Sequence, residues 1–196
     1  MQNYVNLLRD EGLKRGTIEK IIKIIRKSLE HAIALELISK NVAAKKKLAK
    51  ADKEELTVWN EHEVQSFFKA AQDGRYSIVF HMALVTGMRQ GELLGLRWKD
   101  VDLEKGHLII SQTLSHDGKV FLVGGTTKSS LRKILLTASK VAKLKKRRAF
   151  VLTEKLSEGE EYQDNGLVMC TSSGTPVNPA NVRRSLKALI KKAAVP

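Results

Sequence analysis

Cysteine is almost missing from this 196-residue chain. The single thiol, Cys170, excludes an internal disulfide and any zinc site built on several cysteines, and it fits a reducing cytoplasm. It lies in the apolar run Leu167-Val168-Met169-Cys170, where a buried, inert thiol is expected. The five histidines (31, 62, 81, 107 and 116) show no close metal-ligand spacing. Aromatic residues are only 5%, so the cores must be aliphatic, and 42% hydrophobic residues suffice to build them. No apolar stretch is long enough to span a bilayer, no signal-peptide pattern opens the chain, and no internal repeat is visible. The expectation is a cytoplasmic protein that engages no membrane, with one ordinary domain plus a small one.

Positive charge, by contrast, is in excess. Lysine and arginine number 35 against 21 aspartate and glutamate, a formal charge of +14. Such an imbalance favours a polyanionic partner, nucleic acid before any other. Lys45-Lys46-Lys47 with Lys50 forms one cluster, and Lys140, Lys143, Lys145, Lys146, Arg147 and Arg148 crowd a second. Most such runs are solvated faces. Here the first is the stronger candidate for phosphate contact; both would position a duplex without reading its sequence.

Hydrophobic periodicity divides the chain. Residues 2 to 11 read as a short helix ended by Gly12. Thr17 is placed to cap a long one, striped by Ile18, Ile21, Ile22, Ile25, Leu29, Ala32 and Ile33. After Ser39-Lys40-Asn41 comes a lysine-rich stretch that reads as an exposed linker. Asn60 and Glu63 then predict a capping box opening a helix to about Gln72, and a further apolar helix follows from Arg75 to Val85. The period next shifts to that of strands: Leu108-Ile109-Ile110, a turn at Ser115-His116-Asp117-Gly118, a return strand Val120 to Val123, and a third strand Leu131 to Leu136. A basic helix from Ala138, an acidic loop over 157 to 166, and a helix begun by Asn178-Pro179 complete the pattern.

Thr86-Gly87-Met88-Arg89-Gln90-Gly91-Glu92 sets one arginine at a glycine-broken corner between two apolar helical runs. Taken alone, Arg89 is a surface arginine in a helix-start turn. Its neighbours sharpen the reading: Gly87, Gly91 and Gly95 permit tight turns and close approach, and Glu92 stands where it can brace the guanidinium. A guanidinium held at such a corner presents a permanently charged fork suited to phosphate. Downstream, Lys128 lies in the polar turn Thr126-Thr127-Lys128-Ser129-Ser130, by itself an ordinary solvated lysine. Gly124 to Ser129 is no P-loop, because Thr127 rather than glycine precedes the lysine and a strand rather than a helix follows.

The segment from Thr86 to Asp102 closely resembles the first signature box of the tyrosine recombinases, the phage integrase family: T-G-x-R-x-x-E-L-x-x-L-x-W-x-D-I/V-D. The order of elements after it extends the resemblance over about residues 57 to 193. Residues 12 to 41 resemble the end of the family's helical core-binding domain, although Val42 stands where the family usually has proline. The resemblance implies a mainly α protein with a small antiparallel β-meander (α+β). It would comprise a partial helical core-binding domain (1–44), a basic linker (45–56) and the N-terminal part of an incomplete catalytic domain (57–196). It makes Arg89 the first catalytic arginine, supported by Glu92, and Lys128 the acid that protonates the departing 5′ oxygen. Thr127 and Ser129, with Lys45, Lys46 and Lys47, become candidate DNA contacts.

The implied function is site-specific recombination or integration, by strand cleavage through a 3′-phosphotyrosine and rejoining. No cofactor is implied, the partner is double-stranded DNA, and family members act on it as tetramers. The family's later His-x-x-Arg pair is not found: none of the five histidines is followed three residues on by arginine. Tyr4, Tyr76 and Tyr162 all precede the position of the family's nucleophile. The sequence therefore reads as a bacterial or phage-encoded recombinase truncated at both ends, a monomer expected to bind DNA without cleaving it. The alternatives are a non-catalytic regulatory remnant of an integrase and, from another class, a basic helical RNA-binding protein.

Overall fold

The computed structural model describes residues 1–44, 57–124 and 132–196. The linker lysines Lys45, Lys46 and Lys47, and the turn residues Thr127, Lys128 and Ser129, lie outside the described residues. The chain forms two compact units, Met1–Leu56 and Thr57–Pro196.

In the first unit, helices α1 (Gln2–Asp10) and α2 (Arg15–Ala34) form a hairpin turned by Gly12 at φ +78°. Val5 and Leu8 of α1 pack on Ile18 and Ile22 of α2. Each such aliphatic side chain contributes roughly 1.5–3 kcal/mol by burial. Helix α2 departs from its sequence pattern in two ways. Thr17 does not cap α2: the helix starts at Arg15 with extended Lys14 as its N-cap. Lys14 already supplies the carbonyl that accepts the Thr17 and Ile18 N–H groups, and the i,i+4 pair Arg15–Glu19 at 2.7 Å reinforces the earlier start. The stripe is also narrower than the periodicity predicts. Only Ile18 and Ile22 are buried, and Ile33 is exposed, because α1 is short and reaches only the first turns of α2. Beyond α2, Asn41 donates to the Arg26 carbonyl (3.0 Å) and Arg26 Nε to the Ala43 carbonyl (3.1 Å), folding the segment back.

The second unit opens with α3 (Glu61–Ala71), started by the expected capping box. Asn60 Oδ1 accepts the Glu63 N–H at 3.0 Å, and the Glu63 carboxylate accepts the Asn60 N–H at 2.7 Å. Helices α4 (Ser77–Thr86) and α5 (Gln90–Leu94) follow, then strands β1 (Val101–Asp102), β2 (His107–Ile110), β3 (Gln112–Leu114), β4 (Phe121–Val123) and β5 (Arg132–Leu135). The long helix α6 (Ala138–Glu158) and α7 (Pro179–Ala193) complete it. Asn178 caps α7 on the Ala180 N–H at 2.8 Å, and Pro179 sits at the first helical position, as its sequence requires.

Among the described residues all strand pairs are antiparallel, and they lie in two sheets rather than in one continuous meander. β2 lies between β1 and β5, whereas β3 pairs with β4 in a separate two-stranded hairpin. Leu108, Ile110, Gln112 and Leu114 all point inward, so the side-chain alternation runs through β2 and β3 while the partner changes at Ser111. Arg97 Nη2 donates to Ser111 Oγ at 2.9 Å at this junction.

The core of this unit gathers Met82, Leu94, Leu108, Leu144, Val168 and Val177. It is not purely aliphatic. Phe67 and Phe80 are buried and meet edge to face at 5.5 Å, with Trp59 and Phe68 against Phe67. The few aromatic residues are concentrated between α3 and α4, where large rings fill the space between two short helices.

Candidate functional site

The site grows from the corner between α4 and α5. α4 is largely apolar and ends when Gly87 adopts a left-handed conformation at φ +60°. Thr86 Oγ donates back to the Met82 carbonyl at 2.6 Å. Met88 is then buried, which forces the chain to present the next residue outward. That residue, Arg89, is the N-cap of α5, and its side chain is 79% exposed.

Below it lies Glu92, a buried carboxylate at 5% exposure. Its Oε2 accepts the Arg89 backbone N–H at 2.8 Å and its Oε1 accepts Arg89 Nη1 at 3.1 Å. The same carboxylate accepts a second guanidinium, that of Arg132 at the start of β5: Nη1 to Oε1 at 3.1 Å and Nη2 to Oε2 at 2.8 Å. Burial by itself would raise the Glu92 pKa. The Arg132 hydrogen bonds, the Arg89 N–H and the Arg132 charge outweigh it and hold the carboxyl below its ordinary value. Glu92 therefore stays ionised and braces Arg89, as the sequence predicts. Arg132 is the residue that sequence reasoning misses. It lies in an apolar strand run, and only the register that brings β5 beside β2 discloses its partner.

Close backbone approach builds the floor. A methyl group on Gly91 would stand 2.5 Å from Thr113 Oγ1 and 2.6 Å from the Leu114 carbonyl oxygen, so β3 rests directly on α5. Gln112, buried, donates to the Gly95 carbonyl at 2.8 Å across the same contact. Gln90 donates to the Pro179 carbonyl at 2.9 Å, tying α5 to the start of α7. The acidic turn is structural: Asp100 accepts Arg97 Nε at 2.7 Å, and Asp102 accepts the Glu104 and Lys105 N–H groups.

The basic helix α6 is not a uniform solvated face. Lys145, Lys146 and Arg148 are exposed, but Arg147 is buried, donating to the Val168 and Cys170 carbonyls at 3.1 and 3.3 Å. Lys143 lies 3.3 Å from His81, whose ring stacks on Phe68. Burial, with the charges of Lys143 and Lys140, lowers the His81 pKa to about 4. Tyr162 directs its hydroxyl at the Cys170 thiol, 3.7 Å away. Its burial, and then that contact, push its pKa well above the ordinary tyrosine value. Among the described residues, no group of three or more His, Cys, Asp or Glu side chains is placed to hold a metal ion, and no helix is long and apolar enough to cross a membrane.

Residues 57–195 match the family model of the phage integrase family, and the chain belongs to that family. A XerC-like tyrosine recombinase of Caldanaerobacter subterraneus subsp. tengcongensis is 27% identical over 215 residues, covering the whole chain and 55% of that protein. Among the solved structures that share the fold are two integrases. One is the Tn1549 transposon integrase in complex with a circular intermediate DNA (TM-score 0.77, 20% identity, 97% of this chain and 62% of that one). The other is a lambda integrase dimer bound to a core site (TM-score 0.69, 20% identity, 100% of this chain and 62% of that one). The chain thus spans about half the length of that curated relative.

Proposed function

We propose that this chain carries part of the phosphate-binding machinery of a tyrosine recombinase, and that its partner is double-stranded DNA. The observation that carries this reading is Arg89: anchored through its own backbone and one Nη on buried Glu92, it leaves most of its fork open to solvent. A five-coordinate phosphorus bears two negative charges, and a preorganised guanidinium stabilises its equatorial oxygens without reorganising as charge develops. In this reading Arg89 is the first catalytic arginine. Lys128 is the acid for the departing 5′ oxygen, a role that requires a pKa lowered by desolvation or by neighbouring cations. Thr127 and Ser129, with Lys45, Lys46 and Lys47, contact the DNA backbone.

The reaction of the whole protein is then site-specific recombination, in which a tyrosine cleaves a strand through a 3′-phosphotyrosine and the ends are rejoined on a tetramer. These 196 residues, as a monomer, bind duplex without cutting it. Supporting this, no histidine among them is followed three residues on by arginine, and the Tyr162 hydroxyl faces a buried thiol and is hard to ionise. The test has two parts. Fluorescence anisotropy should show duplex DNA bound in preference to structured RNA, with Arg89→Gln weakening binding by about tenfold, the scale of one charge-assisted contact. A nicked substrate should trap no covalent adduct. Preference for RNA, or an adduct formed by these residues alone, contradicts the reading.

A further inference from the structure

Glu92 is shared between two guanidinium groups, and the sharing is unequal. Arg132 grips it with two side-chain nitrogens, one on each oxygen, at 3.1 and 2.8 Å. Arg89 reaches it with one side-chain nitrogen, at 3.1 Å, and with its backbone N–H. Each carboxylate oxygen therefore accepts two N–H groups, which fills its lone-pair positions. Arg132 is mostly withdrawn from solvent at 32% side-chain exposure, against 79% for Arg89.

The geometry points to Arg132 as a positioning residue that keeps Arg89 available to phosphate. A buried carboxylate facing one arginine would draw that arginine into a bidentate pair and cancel its charge. With Arg132 supplying the fork, Glu92 is already neutralised, and the cluster of two guanidiniums and one carboxylate keeps a net single positive charge at the exposed member. Glu92 can then serve as a mechanical anchor for Arg89 rather than as its counter-ion. Arg132 also ties the start of β5 to α5, so the strand that begins four residues after Lys128 is bolted to the Arg89 corner. The proposal rests on the phosphate role of Arg89.

The experiment is a set of duplex-binding measurements on the 196-residue chain, with thermal unfolding of every variant as a check on folding. Arg132→Met should weaken binding about as much as Arg89→Gln, roughly tenfold, because Arg89 collapses onto the freed carboxylate. The double variant Arg132→Met/Glu92→Gln should bind within about threefold of the unchanged protein, since the neutral amide still accepts the Arg89 N–H but no longer competes for its charge. Arg132→Met combined with Glu158→Gln, which restores the same net charge at an exposed position at the end of α6, should not recover. Arg132→Lys, which keeps the charge but loses the fork, should fall between. It also carries the test should Arg132→Met fail to fold. Wild-type binding by Arg132→Met, or by Arg132→Lys in that case, overturns the proposal. So does a double variant as weak as Arg132→Met alone, or equal recovery with Glu158→Gln. A null effect of Arg89→Gln instead overturns the phosphate role on which it stands.

Discussion

Glu92 is the residue on which the corner turns. Four N–H groups converge on it, and removing the carboxylate strands them in a partly dry setting. Glu92→Ala should lower unfolding free energy by about 2–3 kcal/mol, below the roughly 3–5 kcal/mol of a fully buried broken pair because both arginines keep some solvent contact. The effect should depend on pH with a definite sign. The folded pKa of Glu92 lies below its ordinary 4.5, so its contribution is complete above that value and disappears as pH falls through the lower folded pKa. Urea unfolding of the unchanged protein and of Glu92→Gln at a series of pH values should show two curves well separated at neutral pH that converge in acid. A gap that stays constant down to pH 3 would mean that Glu92 is not ionised and paired in the fold.

At the level of elements, the contact of α5 with β3 is set by what Gly91 lacks. Gly91→Ala places a methyl within 2.6 Å of a backbone oxygen that cannot rotate away, so β3 must shift. The cost should be about 1–3 kcal/mol, the range for overpacking, read by the same urea unfolding. Gly12→Ala meets no such atom and should cost only the strain of its left-handed backbone, about 1–2 kcal/mol. These elements also show how far the sequence can be read. Local signals were legible: the Asn60–Glu63 box, the Asn178-Pro179 start and the Asp117-Gly118 turn each depend on neighbours within a few residues. The Arg89–Glu92 contact was legible for the same reason, the two residues being three apart on one turn. What depends on distant partners was not. The change of pairing at Ser111 is invisible because buried Gln112 reads as a polar break in the strand pattern, although its amide is satisfied by the Gly95 carbonyl. Arg147 reads as one more cation in a basic helix, whereas its partners, the Val168 and Cys170 carbonyls, arrive from a later segment. Arg132 was hidden likewise, since its carboxylate lies forty residues earlier.

For the whole molecule, the net charge of +14 favours a polyanion at long range, and in the proposed reading the Arg89 corner would supply one localised grip within that attraction. The first is non-specific and salt-sensitive. Neutralising about six to ten phosphates would lower affinity by about 10³–10⁵ between 50 and 200 mM salt, and Arg89→Gln should reduce the slope by about one contact. The second is geometric, and it is what a structure of the chain bound to a duplex would reveal most directly. The account predicts the Arg89 guanidinium at charge-assisted hydrogen-bond distance, about 2.7–2.9 Å, from a backbone phosphate oxygen, with the Lys128 ammonium directed at the same phosphate. A duplex seated on another face, with Arg89 in solvent and residue 128 turned away from it, would contradict the account.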